Sequence, residues 1–449
     1  MKKFSVKKLM AGTLAVVLLA AFNAGCGNSD NASTGSSSDA SGTVASTQSN
    51  TPAAEKTKVV FWYLWSGDAV PRIDNLVKAY NEKSDKYEVE ALSVPDSQKI
   101  MAAISAGNGP DVTDDFSSNI GKFASAGIME PLDEYISKAN YDLSDFIPAT
   151  IESMKMDGKI YALPCNINLS ALYYNKTLLK EAGYNEPPKT MEEMYDMAVK
   201  TTALNKDGSI DVCGFPDFPA VYYLDAFTAA AGGGWYTKDG KPAPADDAGN
   251  TLALKLARDY RQQFGLENIV KFSSGGKYLD PTDPFLMGKQ TFRIDGPWMG
   301  KDIKETFKSD VDYGVTFVPY PKDHPEYAQR ANASSSILFV TSNSKNKEGA
   351  FDFLSYYVGA EGQVSFTIAG GDFPSRLSML TNEEFKKGYD TDFYSQLAKS
   401  QNLVSIPSGP KNGEYNTLVN EQTELCMNLK QDIPTTLKNI FDQGSQLMK

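Results

Sequence analysis

A single histidine, His324, in a chain of 449 residues bounds the available chemistry. It leaves no histidine pair and no His-rich zinc site, and it weighs against a Ser-His-acid triad. Paired carboxylates suffice for a glycosidase, so that route stays open on the residues alone. Cys26, Cys165, Cys213 and Cys426 stand at long spacings that fit neither a disulfide framework nor a zinc pattern. The last three are expected as free, buried thiols. Asn205, Asp207, Ser209 and Asp211 alternate as in the first half of a calcium loop, but Gly208 is misplaced for it and no glutamate follows at the twelfth position. A tight turn at Asp207-Gly208 accounts for the string equally well. No cofactor and no metal are expected.

What remains is binding chemistry. Aromatic faces stack on the apolar faces of sugar rings, while amides and carboxylates bind ring hydroxyls. Trp65-Ser66 and Trp298 each follow a predicted strand and precede a predicted helix. In open α/β sheets that carboxyl edge is where ligands bind, and helix amino-termini there offer free N–H donors.

The elements that must position these groups are legible. Val59 to Trp62 reads as a buried strand, and Asp68 with Pro71 marks a helix start, with Ile73, Leu76, Val77 and Tyr80 at helical spacing. Tyr87 to Val94 is a second strand, a helix capped at Asp96 or Ser97 follows, and Pro110-Asp111-Val112 opens a third strand. This alternation predicts a largely parallel sheet. Lys159 to Pro164 and Ala171 to Tyr174 read as further strands, and Phe292 to Ile294 as another. Thr190 and Glu193 form a capping box. Helices are expected over Thr251 to Phe264 and Gly349 to Val358.

Composition narrows the partners. The chain is 41% hydrophobic and 22% charged with a net charge of -12, which argues against nucleic acid or an anionic membrane as the main partner. Lys2, Lys3, Lys7 and Lys8 precede an apolar run over residues 9–22, the length of a signal-peptide core. Ala24-Gly25-Cys26 then resembles the lipobox of bacterial lipoproteins, with Asn23 where that family usually has leucine. Residues 27–57 are mostly Ser, Thr, Asn, Asp, Ala and Gly without hydrophobic period, a composition that stays flexible. The resemblance implies a signal peptide over 1–25, lipid on Cys26 and a tether over 26–57, with the protein held at the outer face of the cell membrane.

Three further segments resemble the extracellular solute-binding proteins of bacterial ABC importers. They are Gly107-Asn108-Gly109-Pro110-Asp111-Val112 with Gly121 and Ala126-Gly127; Gly158 to Pro164 with Tyr174-Asn175-Lys176 and Ala182-Gly183; and Lys289 to Trp298 with Tyr313-Gly314-Val315. The resemblance implies an α/β, two-lobed periplasmic-binding-protein-like fold of type II, with a ligand cleft between lobes joined by three crossovers. These fall near 165–170, 332–337 and 372–377. The amino-terminal lobe is then 58–165 plus 335–373, and the other 170–331 plus 378–449. Trp298 falls on the family's stacking tryptophan, and Asn168 on a polar ligand contact that is acidic in relatives. Asp115 and Ser118 fall on a ligand-contacting loop, Tyr223 on an aromatic cleft position, and Gly370-Gly371-Asp372 with Arg376 on the third crossover. Trp235 and Tyr415 are weaker candidates.

The expectation is a monomeric, non-enzymatic protein that captures a mono- or oligosaccharide and delivers it to membrane permease subunits, closing by a hinge on binding. The rivals are the same fold with a polyamine, an organic phosphate or a metal complex, and a cell-surface glycoside hydrolase. The anchor is tested by mass spectrometry of native protein. Cys26 is expected as a lipid-modified amino-terminus, and an unmodified Cys26 within a longer chain contradicts it.

Overall fold

The computed structural model describes residues 55–449, save 216, 218 and 219. Cys26, the expected signal peptide and most of the expected tether lie outside the described residues. The strands that organise the rest are, in chain order, β1 (Thr57–Tyr63), β2 (Tyr87–Ser93), β3 (Val112–Phe116), β4 (Leu163–Pro164), β5 (Asn168–Leu169), β6 (Ala171–Asn175), β7 (Phe292–Asp295), β8 (Tyr313–Thr316), β9 (Ala331–Ser334), β10 (Ser336–Val340) and β11 (Leu403–Val404).

The first sheet has the order β2-β1-β3-β10-β4. Its first three strands are parallel, as the alternation predicted, and Val59, Phe61 and Tyr63 point into one core. Ile73, Leu76, Val77 and Tyr80 of the Ala69–Lys83 helix pack there at the predicted spacing. Asp68 precedes that helix without a side-chain capping bond, whereas Asp96 caps the next one by accepting from the Lys99 N–H at 3.1 Å. The second half of the sheet departs from the expectation, because β10 runs antiparallel to both β3 and β4. Lys159 to Pro164 is also not one strand. Lys159–Ile160 closes a hairpin with Lys155–Met156, the Tyr161 N–H turns aside to the Met154 carbonyl, and only Leu163–Pro164 reaches the sheet.

The second sheet, β7-β6-β8, is wholly antiparallel. Leu172 points into one core, with Phe292, Ile294 and the Ala220–Ala230 and Ala248–Phe264 helices; Ala171 and Tyr173 point into another, with Phe285, Phe373 and Tyr394. Burial on both faces explains why Ala171 to Tyr174 carries no polar alternation.

A third, small sheet joins the other two, in the order β11-β9-β5. The chain leaves the first sheet at β4, passes through β5, and enters the second at β6; it returns through β9 to β10. A further segment reinforces the junction. The Ile167 N–H donates to the Phe373 carbonyl at 3.0 Å, and the Ser375 hydroxyl donates to the Pro164 carbonyl at 2.8 Å. Cys165, Cys213 and Cys426 are free and buried.

Arg293 is wholly buried together with two carboxylates, Asp283 and Asp295. The Arg293 guanidinium on β7 holds the Asp283 carboxylate by two parallel bonds, at 2.9 and 2.6 Å, and both side chains are 0% exposed. Asp283 also accepts the N–H groups of Leu279 and Phe285, so the pair fastens the 279–285 loop to β7. Removing the Asp283 carboxylate strips the buried guanidinium of its two parallel bonds and leaves it the Gln290 amide at 3.2 Å and Asp295 at 4.0 Å. Asp283→Ala should therefore lose about 3–5 kcal/mol of stability. Urea unfolding measures it, and a loss below about 1 kcal/mol, typical of an exposed pair, contradicts this account.

Candidate functional site

The small joining sheet has two unlike faces. Side chains alternate along a strand. Ala331, Ala333 and Leu169 turn into the core beside Phe373. Asn332 and Ser334 must then turn to the other face, and the pairing of Ser334 with Asn168 places Asn168 beside them. Neither the Asn168 nor the Asn332 amide hydrogen-bonds another described residue through its side chain.

A cavity of about 520 Å3 opens on Asn332, also lined by Asp225, Trp235, Arg330, Asn402 and Glu152. Its size suits a small organic ligand. The Trp235 indole N–H donates to Asp225 at 2.6 Å, and the Tyr415 hydroxyl donates to the Trp235 carbonyl at 2.8 Å. Asp225 is exposed at the cavity surface, with protein packed closely around its carboxylate. That enclosure raises its pKa, and the bond from Trp235 opposes the rise. Trp235 itself is only 6% exposed, so it acts mainly by fixing Asp225.

Trp298 lies beyond β7, at the predicted edge. Its indole N–H donates to the Tyr278 hydroxyl at 2.9 Å, and Tyr278 donates to Asp295 at 2.9 Å. Asp295 is buried, which pushes its pKa up to about 7 against the pull of Arg293. The ring leans back over Gly296, where an added Cβ would stand 2.2 Å from it. Trp298 is half-buried against the core that holds Met299 and Tyr173, and so has more core contact than an aromatic after Gly-Pro suggests.

At the end of β1, the Leu64 N–H donates to Asp114 at 2.7 Å, and Trp65 packs 5.8 Å from Phe366. The Trp65 indole N–H is buried and meets no acceptor among the described residues. Asp114 is 2% exposed. Burial first, and then Asp115, drive its pKa up to about 8, although the Leu64 N–H holds it back.

Comparison with known proteins decides the family. Residues 75–390 match the family described as bacterial extracellular solute-binding proteins. This chain belongs to that family. The maltotriose-binding protein of Pyrococcus abyssi is 28% identical over 360 residues, covering 79% of this chain and 74% of that protein. The sn-glycerol-3-phosphate-binding periplasmic protein UgpB of Brucella melitensis is 23% identical over 426 residues, covering 88% and 93%. Among solved structures, CpMnBP1 with mannotriose bound superposes with a TM-score of 0.74 at 24% identity, over 87% of this chain and 100% of that one. The acarbose-binding GacH receptor of Streptomyces glaucescens gives 0.70 at 23%, over 88% and 99%. The fold is the two-lobed α/β fold of these proteins.

Within this solute-binding protein the remaining candidates divide. Ser66 and Ser118 are exposed at the ends of β1 and β3. Asp115 is 2% exposed and is taken up internally, accepting from the Phe116 N–H, the Asn119 amide and the Ser97 hydroxyl. Tyr415 is 0% exposed and Tyr223 is 2% exposed; both lie in the core around Phe227. Arg376 is a structural clamp, bonded to Asp145 and the Val358 carbonyl and stacked 4.1 Å over Phe146. The polar ends of Asp115, Tyr415 and Arg376 are taken up by partners elsewhere in the fold, which sequence position does not disclose.

Gly371 and Asp372 are brought to a second place. Arg72 and Lys301 converge on this segment, and a Cβ on Gly370 would stand 1.8 Å from the Arg72 guanidinium. Burial raises Asp372 to about 6; Arg72 and Lys301 pull it down, while Asp302 and Asp68 push it up. Gly371 and Asp372 line a separate cavity of about 480 Å3 with Phe373, Phe385 and Tyr394. The calcium-like string is a turn: the Asp207 carboxylate accepts the Ser209 N–H and hydroxyl, and Asp211 pairs with Lys289. Among the described residues no group of three or more His, Cys, Asp or Glu side chains stands together to hold a metal.

Sequence reasoning did not find Tyr278, Asp225, Asn332 or Arg330. Asn332 carried a signal, as the polar member of the alternating Ala331-Asn332-Ala333 string. The raised Asp114 has a measurable consequence. Its folded pKa of about 8 lies above the unfolded value of about 3.9, so the native state binds the proton more tightly and stability falls as pH rises between them. Asp114→Asn removes that dependence while keeping an acceptor for Leu64. Thermal melts should show the variant gaining on wild type from pH 5 to pH 8, and parallel profiles contradict the assignment.

Proposed function

We propose that this solute-binding protein captures a carbohydrate against the polar face of the joining sheet and passes it, chemically unchanged, to a membrane permease. The observation that carries this reading is the cavity on Asn332, on the face shared with Asn168. Amide groups there are free to bind hydroxyls, and Asp225 supplies an oriented acceptor. In this reading 58–165 plus 335–373 form one lobe and 170–331 plus 378–449 the other. The lobes close on the solute by bending at the three joining segments, and the closed form is the one a permease engages. Lipid on Cys26 holds the protein at the outer face of the membrane, and the protein acts as a monomer.

Trp298 is the proposed stacking platform. Its indole is fixed through Tyr278 and Asp295, so little side-chain entropy is lost when a ring lands on it. Trp65, Ser66 and Ser118 face the solute from the edge of the first sheet. The relatives named for maltotriose and the structures named for mannotriose and acarbose support a sugar. The relatives named for sn-glycerol 3-phosphate favour a second reading, a phosphorylated polyol.

A thermal-shift panel of mono-, di- and oligosaccharides with glycerol 3-phosphate separates the two, because a ligand that binds only the folded state must raise the melting temperature. A response to the phosphate alone overturns the carbohydrate reading. With the best sugar in hand, Trp298→Ala should cost on the order of 2 kcal/mol, roughly thirtyfold in affinity by calorimetry, without a matching loss of melting temperature. Equal dissociation constants remove Trp298 from the site.

A further inference from the structure

Arg330 occupies an unusual position. It immediately precedes β9 and lines the same cavity as Asn332 and Asn402. Its side chain is half-buried, yet no carboxylate lies within ion-pairing distance among the described residues. Its contacts are one long bond, 3.4 Å, to the Gly233 carbonyl and a stack 5.6 Å over Tyr327. Its Nε–H is buried without an acceptor. Asp247, the carboxylate whose field reaches Arg330, is committed to capping the Ala248–Phe264 helix through the Asn250 N–H. A guanidinium carries five donors, and leaving a buried one unpaired is costly. Both surface arginines and structural ones avoid this state, the first through water and the second, as with Arg293 and Asp283, through a carboxylate.

We infer that Arg330 is completed by the solute, and that the solute carries an anionic oxygen group, a carboxylate or a phosphate, on a hydroxylated ring. The inference rests on the reading of this cavity as the solute site. The guanidinium fork matches such a group in two parallel bonds. Asn332 stands beside it as a neutral amide that tolerates an anion, while the Asn402 amide nitrogen already donates to the Glu326 and Ala328 carbonyls. Asp225 and Glu152 would repel an anion placed against them, so they divide the cavity: ring hydroxyls lie on the Asp225 wall, which is fixed by Trp235, and the charged end points to Arg330. Acidic sugars, uronates or sugar phosphates, have both ends. Neutral sugars of the same size leave the guanidinium unpaired.

The test uses calorimetry on the lipid-free soluble chain with matched probes: digalacturonate against galactobiose, and glucuronate and glucose 6-phosphate against glucose, with inorganic phosphate as a control. The expected result is tighter binding of an acidic member than of its neutral partner. Arg330→Gln should lose roughly ten- to a hundredfold for the acidic probe and little for the neutral one, and Arg330→Lys should fall between. Preference for a carboxylate or for a phosphate identifies which acid the site serves. Melting temperatures of the variants show whether the fold is kept. A neutral sugar that binds as tightly as its acidic partner, with equal affinity in wild type and Arg330→Gln, overturns the inference and leaves the carbohydrate reading standing. No response to any sugar, acidic or neutral, overturns both.

Discussion

The rest of the structure depends on how the joining segments satisfy their own backbone. Chain that passes between two cores cannot leave buried N–H and carbonyl groups unpaired. Here the first segment pairs with the second as β5 on β9, the third donates and accepts around Ile167 and Ser375, and β11 closes the free edge of β9. The sheet is small, built of two- and four-residue strands. Alternation then gives it one face of Ala331, Ala333 and Leu169, which seals a core, and one of Asn332, Ser334 and Asn168, which is polar and is the face proposed to take the solute.

Around that junction the protein accumulates buried carboxylates. Asp114 near 8, Asp295 near 7 and Asp372 near 6 all resist ionisation because water has been removed from them. Each costs stability near neutral pH. They hold other groups in place: Asp114 the turn before Trp65, Asp295 the tyrosine that fixes Trp298, and Asp372 the segment between Arg72 and Lys301. The buried Arg293–Asp283 pair does the same at one remove, by fixing the loop that follows Tyr278.

Local signals were legible where local physics decides the structure. The Thr190–Glu193 capping box forms, with the Thr190 hydroxyl accepting from the Glu193 N–H at 3.2 Å. Strands Tyr87–Ser93 and Phe292–Asp295 match their sequence patterns within a residue. The antiparallel half of the first sheet was not legible, because β10 arrives from more than 170 residues beyond β4 and carries no mark of its direction. The site was legible by residue type more than by position. Trp298 and Asn168 follow from motif spacing, whereas Asp225, Tyr278 and Arg330 become meaningful only through a tryptophan, a carboxylate or a missing partner brought from elsewhere in the chain. The partners of Arg376 and Tyr415, Asp145 and the Trp235 carbonyl, are likewise distant in sequence.

The central claim is that the solute rests on the polar face of the joining sheet. A crystal structure of the soluble chain with its best-binding solute tests it most directly. The account predicts density for the solute within hydrogen-bonding distance of the Asn168 and Asn332 amides. Solute seated instead in the aromatic cavity beside Phe373 and Tyr394, with both amides untouched, would contradict it.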